Sequence, residues 1–110
     1  MAEVGNFEMA GKSGMIYLFR AYELNDTFGQ DAAIYIVALR TEFTPGKPGY
    51  APLYLGETKD MQTWQQSHNK SDCIKKNGAN CIGVCLVPDD QQRASVYNDL
   101  LSIGNCICNR

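Results

Sequence analysis

Tyr35 and Tyr54 each sit inside a strongly apolar run, Ala33-Ile34-Tyr35-Ile36-Val37-Ala38-Leu39 and Pro52-Leu53-Tyr54-Leu55-Gly56. A phenol in such a run carries a hydroxyl that can both donate and accept a hydrogen bond. Lys59 follows the second run, and His68, the only histidine, lies beyond it. Histidine is the side chain whose ordinary pKa falls near neutrality. Sulfur is the other chemistry on offer. Cys81, Cys85, Cys106 and Cys108 could hold Zn²⁺ if their segments met. Each group also has a plain structural role: strand tyrosines with satisfied hydroxyls, a solvated lysine, a packed or surface histidine. Cysteines at even spacing on one strand cannot both reach a metal without a bend, so buried free thiols are the better reading.

These residues need elements to position them. Ala32 to Arg40 reads as a strand buried on both faces, because its apolar, β-branched run is nearly continuous. Thr44-Pro45-Gly46-Lys47-Pro48-Gly49 is turn chemistry, and a hairpin there would put Tyr35 and Tyr54 on adjacent antiparallel strands. The chain is expected to turn at Gly56. Asp60 is then a helix cap, with Met61, Trp64 and His68 on one helical face. Met15 to Tyr22 predicts an earlier strand, and residues 1–13 a partly ordered arm. A short helix is expected from Ser71 to a stop at Gly78, then a strand from Cys81 to Val87. Pro88-Asp89-Asp90 opens a last helix with Ala94, Tyr97, Leu100 and Leu101 as its buried stripe and Gly104 near its end.

The tripeptides and their order resemble the GIY-YIG nuclease superfamily, over about residues 32–109. Ala33-Ile34-Tyr35 stands for the Gly-Ile-Tyr strand and Tyr54-Leu55-Gly56 for the Tyr-Ile-Gly strand. Lys59-Asp60-Met61 stands for the Lys-Asp-Leu helix start, and His68 takes the His/Tyr position. Gly78-Ala79-Asn80, Arg93, Asn105 and Cys108-Asn109 also look like bacterial members. Two positions depart from the pattern. Trp64 stands at the family's arginine, and Tyr97 at its metal-binding glutamate.

The resemblance implies hydrolysis of a DNA phosphodiester with one divalent metal, Mg²⁺ or Mn²⁺, held by that glutamate. It also implies tyrosines that position the attacking water, a lysine facing the phosphate and an arginine that stabilises it. A metal polarises the phosphoryl oxygen, and a guanidinium matches phosphate with two parallel hydrogen bonds. Trp64 offers one neutral donor, and a phenol is a poor Mg²⁺ ligand because it stays protonated at pH 7. Both electrophilic devices are therefore missing. Tyr35, Tyr54, Lys59 and His68 are left as the family-equivalent remnants. Trp64 and Tyr97 are expected to fill the former cleft; an aromatic platform for a flat ligand is the sharper alternative. Glu57 or Asp99 could replace the lost ligand in a rearranged nuclease, although a surface carboxylate is more often simply solvated.

The whole chain of 110 residues suits one small core. The fold expected is α+β: a small mixed sheet flanked by helices, with residues 1–31 as an arm and extra strand packed on a domain of residues 32–110. A net charge of −2 lowers the odds of strong phosphate-backbone binding. No apolar run is long enough to span a bilayer. The start, MAEVGNFEMAGKSG, lacks a basic segment followed by an apolar core, so a cytoplasmic location and five free thiols are expected. The functional expectation is a binding or interaction module that has lost nuclease activity and needs no cofactor. Its partners would include nucleic acid only weakly. The alternative is an active metal-dependent endonuclease with rearranged ligands.

Overall fold

The structure, a computed structural model, describes residues 3–63, 71–104 and 106–109. Five strands form one sheet: β1 (Gly5–Ala10), β2 (Ile16–Glu23), β3 (Ala33–Thr44), β4 (Lys47–Thr58) and β5 (Cys81–Leu86). The helices are α1 (Ser71–Lys76) and α2 (Asp90–Leu101), with a short 3₁₀ turn at Ile107–Asn109. The strand order is β1-β2-β5-β3-β4, and every pairing is antiparallel. The expectation of an α+β domain holds. That of a mixed sheet does not, because β5 returns from α1 against the direction of both its neighbours.

β3 is the strand with neighbours on both sides and cover on both faces. Ala33 to Ala38 are all buried. Their alternation sends Ala33, Tyr35 and Val37 into one cluster with Leu53, Met61, Ile74 and Cys108. Ile34, Ile36 and Ala38 enter a second cluster with Phe19, Leu55, Leu100 and Cys106. Period-two geometry makes this division unavoidable. Each fully buried Ile or Val contributes about 1.5–3 kcal/mol over leaving it exposed.

The hairpin turn lies where the Pro-Gly chemistry predicts it, with Thr44 opposite Lys47 and Gly46 at a φ of 80°. The register slips once between Val37 and Ala38, so that Leu53 is extra and Leu53 and Tyr54 both serve the first cluster. Gly56 does not turn the chain; β4 continues to Thr58. Asp60 caps the next helical turn as expected, accepting from the Gln62 and Thr63 backbone N–H groups at 2.9 and 3.2 Å. Residues 64–70, including Trp64 and His68, lie outside the described residues.

Three further expectations are corrected. Gly5–Ala10 is an edge strand paired residue for residue with β2, not a loose arm. In α2, Arg93 is buried and Ala94 is exposed, because the helix turns its 93/96/97/100 face to the sheet. Leu101, expected on the buried stripe, is exposed, and the helix ends there with Ser102 as its cap, close to Gly104 as expected. Asp89 is its N-cap, accepting from the Gln92 N–H at 2.8 Å.

Cys73 of α1 and Cys108 of the 3₁₀ turn are joined by a disulfide, contrary to five free thiols. Packing on the first face brings the two sulfurs together, a proximity that cysteine counting cannot reveal. Cys81, Cys85 and Cys106 are not in disulfides. The bond closes a separation of 35 residues, which in the chain-entropy account stabilises by about 3–4 kcal/mol. Denatured without reductant, the protein should therefore react at three thiols, and at all five after reduction. Cys73→Ser should lower the urea midpoint by the equivalent of roughly 2–4 kcal/mol.

Candidate functional site

Tyr35 and Tyr54 come together on the first face of the β3–β4 hairpin, their ring centroids 6.1 Å apart and inclined by 39°. Tyr35 lies opposite Gly56, and its ring passes over that residue so closely that a Cβ at Gly56 would meet the phenol carbon and oxygen. Glycine is needed here for close approach. Tyr35, Tyr54, Gly56 and Glu57 line a cleft of about 320 Å³ with Ala94, Tyr97 and Asn98 of α2. Tyr97, set more than forty residues beyond Tyr54 in the chain, is thus a wall of the same cleft.

The polar groups here are lightly committed. The hydroxyls of Tyr54 and Tyr97 and the carboxylate of Glu57 make no hydrogen bond or ion pair among the described residues. Burial pushes the Tyr97 phenol above its usual range, and the nearby Tyr54 and Glu57 add to the effect. Tyr97 therefore keeps its proton at neutral pH.

The basic residues lie elsewhere. Lys59 is exposed and meets Asp90 Oδ2 at 3.8 Å, outside the lining of the cleft. Arg93 is buried, donating through Nη1 to the carbonyls of Val87 and Pro88 at 3.1 and 3.4 Å and through Nη2 to Asp90 Oδ1 at 2.6 Å. Arg93, first, and Lys59 hold the Asp90 carboxyl below the usual carboxylate range. Arg93 thus supplies donors to the two carbonyls that precede the cap of its own helix.

Of the two carboxylates considered as replacement metal ligands, only Glu57 borders the cleft. Asp99 is committed to the β1–β2 connection: it accepts from Ser13 N–H at 2.8 Å, Ser13 Oγ at 2.6 Å and Tyr17 Oη at 2.8 Å. The four-sulfur zinc site is also set aside, since Cys108 is bonded to Cys73. Burial raises the Cys81 and Cys106 thiols to about 11, well above a metal-binding thiolate. Among the described residues no group of three or more His, Cys, Asp or Glu side chains converges as a metal site.

A larger cavity of about 460 Å³ lies further along β3, around Arg40, Asn80 and Cys81, and holds none of the family-equivalent residues. The sequence signal that finds the cleft is the pair of tyrosine strands. The resemblance already places Tyr97 at the cleft, whereas nothing local to Asn98 or Ala94 marks them as part of its third wall. No family model, curated protein or solved structure matches this chain.

Asp99 supplies a pH test of the architecture around α2. Its carboxyl is held below the usual range chiefly by the Ser13 hydroxyl, then by the Ser13 N–H and Tyr17. The unfolded chain therefore binds a proton at this position before the folded one does. The stabilisation is complete above the ordinary carboxylate pKa of about 4 and is lost as pH falls through the lower folded value. Urea unfolding between pH 7 and pH 2.5 should show Asp99→Asn less stable than the parent at pH 7, with the gap narrowing in acid. A constant gap would assign the tie to neutral hydrogen bonding alone.

Proposed function

We propose that this chain is a non-catalytic binding module on a GIY-YIG-like scaffold. The observation that carries the proposal is the seat of Tyr97, which faces the same cleft as Tyr35 and Tyr54. By the resemblance, that seat belongs to the metal-binding glutamate. A protonated phenol there supplies no charge to hold Mg²⁺ or Mn²⁺, and among the described lining residues none is basic. Phosphoryl transfer depends on electrostatic stabilisation by a metal and positive side chains, so loss of both removes most of the transition-state stabilisation.

Nucleic acid enters this proposal only as a weak, salt-sensitive partner. The chain carries −2 overall, and its described basic residues are dispersed over β2, β3, β4, both helices and two connections. No helix among the described residues is long and apolar enough to cross a membrane. The Cys73–Cys108 bond fits an oxidising setting better than the cytoplasm expected from the sequence, because reducing compartments keep thiols apart.

Supercoiled plasmid incubated with the protein and Mg²⁺ or Mn²⁺ should remain unnicked. Loss of one electrostatic stabiliser costs roughly 10²–10³ in rate, and loss of the metal ligand costs more. Tyr97→Glu should introduce Mg²⁺ binding, read by calorimetry, with cleavage appearing only when Trp64→Arg is added. Circular dichroism on both variants checks that the fold survives the new charges. Metal-dependent nicking by the parent protein, abolished by Glu57→Ala, would establish the rearranged endonuclease instead.

A further inference from the structure

We propose that the tyrosine cleft recognises a guanidinium group. The inference rests on the cleft being a binding site, and it names the ligand chemistry.

The lining is electron-rich throughout. Three tyrosine rings, one carboxylate and a side-chain amide face about 320 Å³ of space, enough for a planar cation and part of the molecule that bears it. Glu57 has no cationic partner among the described residues, while the basic side chain closest to it in sequence, Lys59, is turned to Asp90. A carboxylate left in this position repels phosphate and other anions. It also offers two parallel acceptors to a guanidinium.

The aromatic walls select among cations. Tyr35 is 4% exposed and packs on Tyr54 at 6.1 Å, so the half-buried rings of Tyr54 and Tyr97 are the ones a flat cation can approach. Guanidinium is weakly hydrated, stacks on aromatic faces and carries five N–H donors. Tyr54 and Tyr97 have hydroxyl oxygens with no donor among the described residues, so they can accept what Glu57 does not. A divalent metal on Glu57 would take most of its oxygens from water and would make no use of the aromatic faces. A tetraalkylammonium has no N–H to satisfy the hydroxyls. The set of groups thus fits guanidinium better than either.

The guanidinium could belong to free arginine or to an arginine side chain of a polypeptide. The probe is methylguanidinium, titrated into the disulfide-intact protein labelled with ¹³C in its tyrosine rings and followed by NMR. The expected result is a saturable shift of the Tyr35, Tyr54 and Tyr97 resonances at about 1–10 mM, the range for one exposed cation contact, with Tyr17 and Tyr50 unmoved. Glu57→Gln, a substitution at an exposed residue, should weaken binding about fivefold. Tyr54→Phe, which keeps the ring and removes an acceptor, should weaken it less. Free arginine and acetyl-Gly-Arg-Gly-amide, added in turn, separate the two sources: tighter binding of the peptide assigns a polypeptide, and equal binding assigns the free compound. Equal shifts by tetramethylammonium, saturable shifts by inorganic phosphate, or unchanged affinity in Glu57→Gln would overturn the proposal. So would no cleft response at 50 mM methylguanidinium. Plasmid nicking measured on the same sample keeps the two readings apart. A silent cleft with no nicking defeats the guanidinium assignment alone, whereas metal-dependent nicking defeats the binding-module reading.

Discussion

Burial of β3 on both faces is the constraint on which the molecule depends. A strand with apolar side chains pointing both ways requires a cover on each side, and one short chain must supply both. Phe28, Met61 and Ile74 cover the first face; α2 and the aromatic residues of β1 and β2 cover the second. The chain end serves both. Cys106 packs in the second cluster and Cys108 in the first, so the last residues pass around the β4 side of the sheet.

That arrangement leaves strand backbone in need of partners, and two asparagines provide them. Asn109 gives Leu55 both bonds that a further strand would give: Leu55 N–H donates to Asn109 Oδ1 at 2.7 Å, and Asn109 Nδ2 donates to the Leu55 carbonyl at 2.8 Å. Asn80 does the same for Arg40, at 2.7 and 3.0 Å, where β5 has already ended. A side-chain amide carries the donor and acceptor of a peptide group, so it can extend pairing without extending a strand. On β4 it also occupies backbone that would otherwise invite another chain. The disulfide, Asn109 and the Asp99 contacts to Ser13 and Tyr17 together tie both ends of the chain to the sheet.

The cleft is a by-product of this packing. The β-bulge at Leu53 turns Tyr54 to the same face as Tyr35, Gly56 gives Tyr35 room to lie flat on β4, and α2 brings Tyr97 alongside. Meanwhile Asp90 draws both Lys59 and Arg93 away, one on the surface and one in the interior. The positive charges are neutralised at the helix start, and the cleft keeps its own negative character.

The amino-acid sequence by itself determined the elements whose causes are local. The unbroken apolar run of β3, the Pro45-Gly46 turn, the Asp60 and Asp89 caps and the pairing of the two tyrosine strands all follow from neighbours a few residues apart. Tertiary structure decided what depends on distant groups meeting. Gly5–Ala10 carries a weak strand pattern and becomes β1 because β2 offers a free edge. Arg93 looks like a surface residue and is buried because Val87, Pro88 and Asp90 accept from its two terminal nitrogens. Cys73 and Cys108 are joined because α1 and the chain end cover the same face. Tyr97, packed with the second cluster, lines a cleft with Tyr35 and Tyr54 of the first because α2 docks against β3 and β4. Local propensity sets where a strand or helix can start, but contact between remote side chains is settled by which faces must be hidden from water.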